Sequence, residues 1–297
     1  MHAAGDGRHM LAVLLASVLW GTTGTVAHQL PPESSQLLVG LSTFGFGGLV
    51  LLTFDARAPG ELIRDPTTRL LLCAAVLGVV SYASMYYASM SLVGVAVGNA
   101  LALGSGPVFA AILERVVERR PVRGDWAVAT ALTVLGVLSL AVGARFSSAG
   151  GSLLGVLLGL GAGFGYALYT WAGARMIALR HGSRSVMAAI FGTAAIVLVP
   201  IFLLSHPGPL LSEGGWLVLA YLAVIPMACA YLLFGYGLRA LPASTATTLA
   251  LAEPVVATLL AVSVLDERLT ALSWLGLGLI IAGIVLVAMT EKRQVPY

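Results

Sequence analysis

Glu253 is the only carboxylate that lies well inside one of the long apolar segments of this chain. A charged carboxylate at that depth costs several kcal/mol, so the side chain either faces a wet cavity or is protonated. Such a group suits proton coupling or the binding of a substrate amine. A structural role stays equally open, because Pro254 leaves the carbonyl of Ala250 without its helical N–H partner, and a protonated Glu253 could help to satisfy the kinked backbone.

A second group of candidates consists of aromatic side chains. They recur at spacings of three and four residues and therefore share helix faces. A phenol that lines a cavity offers a ligand both its ring and its hydroxyl, whereas the alternative for such residues is a belt at the membrane interface. Positions in the middle of a segment favour the cavity. The aromatic candidates for substrate binding are Trp20, Tyr82, Tyr86, Tyr166, Tyr169 and Tyr231.

Asn99 and Thr248 are polar residues at corresponding places in the two halves of the chain. An amide or hydroxyl in hydrocarbon either bonds to a neighbouring helix, which is worth about 0.6 kcal/mol on average, or contacts a substrate. We therefore include both residues among the candidates for substrate binding, with helix packing as the alternative role.

These candidates lie in ten apolar segments separated by short polar gaps. Each segment is long enough for the roughly 20 residues that a helix needs to cross the hydrocarbon. Hydrophobic residues make up 59% of the chain and charged residues 10%, which excludes an ordinary soluble domain, where about a quarter of the residues are charged. The sequence predicts an all-α membrane protein with ten transmembrane helices near residues 10–30, 36–54, 70–92, 93–113, 126–143, 152–174, 185–204, 215–238, 243–265 and 270–290.

The basic residues predict how these helices are oriented. Fourteen of the sixteen Lys and Arg fall in every second gap, and the opposite gaps hold only Arg145 and Arg268. Because cytoplasmic loops carry the excess of Lys and Arg, we expect a bacterial inner-membrane protein with both termini in the cytoplasm. The arginines are spread over several loops without an aromatic platform, so nucleic acid is excluded as a partner. The predicted cytoplasmic residues are Arg8, Arg57, Arg64, Arg69, Arg115, Arg119, Arg120, Arg123, Arg175, Arg180, Arg184, Arg239, Lys292 and Arg293.

An internal repeat divides the chain. A shift of 149 residues aligns Tyr82 with Tyr231 and Glu118 with Glu267. Each half holds five helices, and since five is odd, the halves must lie upside down relative to each other. Inverted repeats of this kind are the usual plan of secondary transporters. The predicted five-helix repeats are residues 1–147 and 148–297.

Four short motifs carry a family resemblance: Leu-Trp-Gly at 19–21, Tyr-Ala-Leu-Tyr-Thr at 166–170, Leu-Ala-Glu-Pro-Val-Val at 251–256 and Leu-Asp-Glu-Arg-Leu at 265–269. They resemble the EamA type of the drug/metabolite transporter superfamily, and the resemblance covers the whole chain. It implies an exporter or uniporter of small metabolites, and the YddG-type members that this chain resembles carry aromatic and other neutral amino acids outward. Two departures are Tyr166, where many members have Trp, and the region of Pro107, which has no acid matching Glu253.

Other classes of function lack their signals. All five histidines lie at or beyond the segment ends, and His-Glu-x-x-His and Gly-x-Ser-x-Gly motifs are absent, so we expect no enzyme. Nothing resembles the selectivity filter of a channel. We also expect no cofactor and no bound metal. The partners are expected to be a small-molecule substrate and the lipid bilayer, with a monomer as the working unit.

The sequence therefore predicts a secondary transporter, an exporter or facilitator of small neutral metabolites, that works by alternating access. Aromatic and other neutral amino acids are the best substrate class, and a multidrug exporter of lipophilic cations coupled to protons through Glu253 is the alternative. The cavity is expected at mid-membrane between the first, third, fourth, sixth, eighth and ninth helices. A substrate carboxylate would need backbone groups at helices broken near Pro107 and Pro254.

Overall fold

The computed structural model describes residues 3–31, 34–143, 152–211, 214–264 and 268–292. All regular structure in these ranges is helical. The predicted all-α membrane fold is thus confirmed. The α-helices are α1 (Ala3–Ala27), α2 (Gln36–Leu52), α3 (Ala58–Arg64), α4 (Arg69–Val93), α5 (Val95–Val117), α6 (Gly124–Gly143), α7 (Leu153–Ala178), α8 (Ser183–Leu204), α9 (Gly215–Leu222), α10 (Ala230–Gly237), α11 (Ala243–Ala250), α12 (Ala252–Val264) and α13 (Ala271–Lys292).

Within the described ranges, nine stretches of helix are long and apolar enough to cross a membrane. Two of them are composite: α9 and α10 are joined by a π-helical turn at Ala223–Cys229, and α11 is followed directly by α12. The apolar helix α2 has 17 residues, at the lower limit for a span. The count of ten spans therefore stays a prediction. Arg145 and Glu267, which were used for orientation and for the repeat, lie outside the described residues.

Helix ends differ from the predicted bounds by a few residues, and one difference matters. α5 continues to Val117, so Glu114, which the sequence places in the following loop, belongs to the helix and is buried. The gap before α4 contains a short helix, α3, that the sequence does not predict. Asp65, directly after α3, accepts hydrogen bonds from the backbone N–H and the hydroxyl of Thr67, and these bonds lower the pKa of its carboxyl.

The packing of the helices follows the repeat. The most extensive contacts of α4 are with α7, and the pair related to it by the repeat is α10 with α1. In the same way, α5 packs on α7 and α12 packs on α1. The pairs α2 with α8 and α6 with α13 each join corresponding helices of the two halves. This arrangement agrees with two repeats, while the boundary at residues 147 and 148 lies outside the described residues.

Glycines allow the closest of these helix crossings. A Cβ atom on Gly78 of α4 would come within 2.7 Å of the carbonyl oxygen of Gly165 on α7, and the reverse contact is equally short. Gly136 and Gly276 form a comparable crossing between α6 and α13. Transmembrane helices associate through such small residues, because lipid provides no hydrophobic force between helices.

The outer surface of the bundle is apolar. Leu70 and Leu204 are each 78% exposed, and many other large apolar side chains of the described helices also face outward. Such a surface would make a soluble protein aggregate, but it matches the hydrocarbon of a bilayer. The fold is that of an integral membrane protein.

Candidate functional site

A cavity opens in the middle of the bundle, with room of about 70 Å³ for water molecules. A buried water needs about 10–15 Å³ of such room, so this cavity accommodates a few waters but not a metabolite in the present conformation. Seven of the nine predicted site residues line it. The lining consists of Trp20, Thr23, Thr43, Phe44, Tyr82, Tyr86, Tyr87, Leu103, Tyr166, Tyr169, Pro226, Met227, Tyr231 and Glu253.

The repeat reappears in the aromatic wall of this cavity. Tyr82 on α4 meets Tyr169 on α7 edge to face, with ring centroids 6.0 Å apart and an interplanar angle of 77°. Shifted by 149 residues, the same pair becomes Tyr231 and Trp20, whose rings also meet edge to face, at 5.1 Å and 61°. Edge-to-face pairs stabilise a structure by about 0.5–1.5 kcal/mol beyond the contribution of the apolar area that they bury. The two matching pairs hold α4 against α7 and α10 against α1.

Hydrogen bonds fix three phenols of the wall. The hydroxyls of Tyr169 and Tyr231 are 2.7 Å apart and bond to each other across α7 and α10. The Tyr86 hydroxyl donates to the side-chain oxygen of Asn99 at 2.8 Å. Tyr82 packs between these two systems, stacked on Tyr86 with ring centroids 5.1 Å apart. These bonds hold the rings rigid around the cavity.

Glu253 is the one carboxyl among the residues that line the cavity. It lies in the first turn of α12, directly after the chain leaves α11 at Ala250. Leu251 between the two helices has ψ of 1°, far from the helical value of about −42°. No described residue forms a hydrogen bond or an ion pair with the Glu253 carboxyl. The other residues that line the cavity provide aromatic rings, apolar side chains and the hydroxyls of Thr23 and Thr43 but no basic group, so a counter-charge must enter with the substrate.

The helix break at Glu253 has a local cause. Pro254 has no N–H to offer to the carbonyl of Ala250, and a proline ring clashes with the carbonyl four residues before it. The break predicted near Pro254 is therefore present. The break predicted near Pro107 is wrong, because α5 runs through Pro107 without interruption. In α5, the hydroxyl of Ser105 donates to the carbonyl of Leu101 at 2.6 Å and so supports the backbone just before the proline.

Asn99 and Thr248 lie outside the lining of the cavity. Asn99 contacts the site through Tyr86: its side-chain oxygen accepts a hydrogen bond from the Tyr86 hydroxyl. Thr248 is fully buried, and its hydroxyl donates to the carbonyl of Ser244 and bonds to Thr130 on α6 at 3.0 Å. Both contacts correspond to the packing role that the sequence leaves open for these residues.

The structure adds residues that the sequence did not select. α2, which was not expected to contribute, provides Thr43 and Phe44, and the π-helical turn provides Pro226 and Met227. π-Helical turns inside α-helices are frequently found at functional sites, and Pro226 is the feature that could have indicated this one. Tyr87 also lines the cavity, although its repeat partner Tyr236 stacks on His9 instead.

The family model and the relatives that this chain matches are all transporters. The model of the EamA-like transporter family matches residues 8–142 and again residues 153–289. The chain is similar to "Uncharacterized transporter YwfM" of Bacillus subtilis, with 32% identity over 96% of this chain and 95% of the relative. It is also 30% identical to "Threonine/homoserine exporter RhtA" of Escherichia coli, over 96% of this chain and 92% of the relative.

A solved crystal structure has the same fold. It superposes with a TM-score of 0.80 and covers 97% of this chain and 98% of its own, at 19% sequence identity. At that identity, the likeness concerns the fold alone. The same helical arrangement has therefore been observed in a crystal structure.

Proposed function

Because this chain belongs to the EamA-like transporter family, we propose that it is a secondary transporter that exports small neutral metabolites across the bacterial inner membrane. Aromatic and other neutral amino acids are the proposed substrates. Transport proceeds by alternating access around the central cavity, and both termini lie in the cytoplasm. The inverted halves support this mechanism, because exchanging their conformations opens the cavity to the other side.

The observation that carries the proposal is the unpaired carboxyl of Glu253 inside an aromatic cavity. An ionised carboxylate in such surroundings is costly without a partner, and the ammonium group of an amino acid is a partner of the right charge. Tyr82, Tyr169 and Tyr231 surround the cavity with ring faces and edges that suit an apolar or aromatic side chain. The exporter named for threonine and homoserine supports amino acids as the class.

The small volume of the cavity supports alternating access. A small-molecule site usually measures about 300–1,000 Å³, whereas this cavity has about 70 Å³ for water. A substrate thus requires a wider conformation, open to one side of the membrane. The break between α11 and α12 and the π-helical turn before α10 provide two places where the wall can change shape.

A lipophilic cation is the second candidate substrate. Lys, Arg and His are absent from the residues that line the cavity, so no side chain there offers a counter-charge to a substrate carboxylate. A cation needs none, and aromatic rings attract it by about 0.5–2 kcal/mol per contact. In this case Glu253 binds the cation or exchanges it for a proton.

Transport by the purified chain in proteoliposomes tests both candidates. We expect saturable counterflow of labelled phenylalanine and threonine, with competition between amino acids and little effect of a quaternary ammonium dye. Glu253→Gln keeps the shape of the side chain but cannot ionise, so transport should fall at least about tenfold. Glu61→Gln, on the exposed face of α3, is the matched control and should leave transport unchanged.

Three outcomes separate the candidates. Competition by the dye but not by amino acids would select the cation exporter. An unchanged rate and pH profile in Glu253→Gln would show that the carboxyl serves only the helix break. Flux that does not saturate with any solute would contradict a transporter of either kind.

A further inference from the structure

A second polar cleft lies at one end of the bundle, between α5, α6, α11 and α13. It has room of about 250 Å³, more than three times that of the central cavity. We call it the vestibule and define it by Glu114, Arg123, Trp126, Ser244, Thr245 and Glu291. Its size approaches the lower limit of about 300 Å³ for small-molecule sites, so a single amino acid fits.

The vestibule contains a loose pair of opposite charges. The Arg123 guanidinium, through Nη1, is 3.7 Å from Oε1 of Glu291. Charge-assisted hydrogen bonds usually measure about 2.7–2.9 Å, so this pair is not closed. The other terminal nitrogen of Arg123 is bonded to Asp125, and Thr245 donates to Glu291 at 2.9 Å. Both charged groups are therefore held in place by neighbours while the gap between them stays open.

Trp126 provides an unused donor at the same place. Its side chain borders the vestibule and is only 9% exposed, and its indole N–H has no hydrogen-bond partner among the described residues. Buried donors without partners are uncommon and cost about 1–3 kcal/mol, so this N–H is expected to meet an acceptor in some state of the protein.

Glu114, by contrast, is already satisfied. Its two carboxylate oxygens accept hydrogen bonds from the backbone N–H of Ser244 at 3.2 Å and from the Ser244 hydroxyl at 2.6 Å. This contact joins α5 to α11 and closes one wall of the vestibule. Arg120 also lines the vestibule, but its guanidinium is paired with Glu118 at 2.9 Å. The groups left to contact a ligand are thus Arg123, Trp126 and Glu291.

We propose that the vestibule binds a zwitterionic α-amino acid, as a loading site separate from the central cavity. The ligand carboxylate accepts from the Arg123 guanidinium and the Trp126 indole, and the ligand ammonium donates to Glu291. The choice of ligand rests on the proposed function. A zwitterion is the class that matches one positive and one negative group facing each other across a short gap.

The position of the vestibule suits loading. α5 runs from Glu114 in the vestibule to Leu103 in the central cavity, a distance of about 16 Å at 1.5 Å per residue. In the same way, α11 and α12 join Ser244 in the vestibule to Glu253 in the central cavity over a similar length. Thr248 lies between these two points, fully buried and bonded to Thr130, so packed side chains separate the vestibule from the central cavity in this conformation.

Binding of L-threonine to the full-length protein in detergent tests the proposal, by calorimetry and by tryptophan fluorescence. Threonine does not absorb where tryptophan does. Threonine methyl ester lacks the carboxylate charge and N-acetylthreonine lacks the ammonium, so both should bind at least about tenfold more weakly. Arg123→Gln and Glu291→Gln should each weaken threonine binding by a similar factor, because each removes one charged contact.

Control variants separate the vestibule from the central cavity and from folding. Glu253→Gln should leave threonine binding at the vestibule intact, and Trp126→Phe should remove the fluorescence change that Trp20→Phe retains. Arg184→Gln, an exposed arginine on α8, should have no effect. Arg123→Lys keeps the charge and should restore most of the binding, which distinguishes a lost contact from a folding defect.

Threonine binding that Glu253→Gln abolishes and the vestibule variants leave unchanged would overturn the proposal. Equal binding of threonine and its methyl ester would overturn it as well. The proposed function can fail independently: threonine binding that depends on Arg123 and Glu291, in a protein that transports no amino acid, would support the vestibule and contradict amino acid export.

Discussion

The two halves of the cavity wall share their aromatic pairs but not their charge or their backbone. In the first half, α4 and α5 are continuous helices. α4 presents Tyr82, Tyr86 and Tyr87 to the cavity, and α5 presents Leu103. In the second half, the corresponding spans are interrupted by a π-helical turn before Tyr231 and by the break before Glu253. One half thus forms a regular wall, and the other combines irregular backbone with the one carboxyl of the lining.

This difference shows how a repeat can specialise without losing its symmetry. The edge-to-face pairs keep the two halves packed in the same way. Irregular backbone inside a membrane is tolerated only where it borders a cavity or other protein, because lipid cannot satisfy its polar groups. We therefore expect conformational change to be concentrated in the second half, while the first half acts as a fixed wall.

The largest expected effect comes from restoring the helix. Pro254→Ala supplies an N–H for the carbonyl of Ala250 and removes the steric clash, so α11 and α12 can join. We expect the rate of counterflow to fall at least about tenfold, with normal expression. Pro107→Ala, in the continuous α5, is the matched control and should change the rate less than about twofold. Equal effects of the two substitutions would show that the break has no special part in transport.

Loss of an aromatic ring should have an intermediate effect. Tyr82→Ala and Tyr231→Ala remove corresponding rings from the two halves, and each ring contact is worth about 0.5–1.5 kcal/mol beyond area burial. The apparent affinity for phenylalanine should therefore fall several-fold, and the affinity for alanine or threonine should fall less. Inhibition constants in proteoliposomes provide the measurement.

Tyr236→Ala is the control for the ring substitutions, because Tyr236 packs against His9 outside the cavity. It should not discriminate between ringed and ringless substrates. If Tyr82→Ala and Tyr231→Ala weaken both kinds of substrate equally and reduce the amount of folded protein, these tyrosines are structural.

The last comparison concerns single hydroxyls and is measured as stability rather than as transport. Tyr231→Phe leaves the Tyr169 hydroxyl without its partner at 2.7 Å, which should cost about 1–2 kcal/mol of stability. Tyr82→Phe removes a hydroxyl that has no hydrogen-bond partner among the described residues, and it should change stability by less than about 0.5 kcal/mol. Thermal unfolding in detergent measures both. The same loss in the two variants would show that the Tyr169–Tyr231 bond adds nothing in the protein.

Much of the fold could be predicted because a bilayer leaves few choices. Apolar length alone locates spans such as α4 and α13 within about two residues, since each backbone group must bond inside its own helix. The end of α5 was harder to place, because Glu114 is a charged residue that the sequence alone assigns to water. Its partner Ser244 lies on a distant helix, and only tertiary packing brings the two together.

The sequence by itself determined that this protein is a bundle of apolar helices in two repeats, with one carboxyl deep in the second half, because hydropathy and internal alignment are properties of the chain. It also selected Tyr82, Tyr169 and Tyr231 from their spacing. Tertiary structure decided which polar groups are paired: Tyr169 with Tyr231, Thr248 with Thr130, and Glu253 with none of the described residues. Whether a hydrogen bond forms between two helices depends on differences of a few tenths of an ångström in the distance between donor and acceptor. Helix packing sets these distances, and residue spacing in the sequence does not encode them.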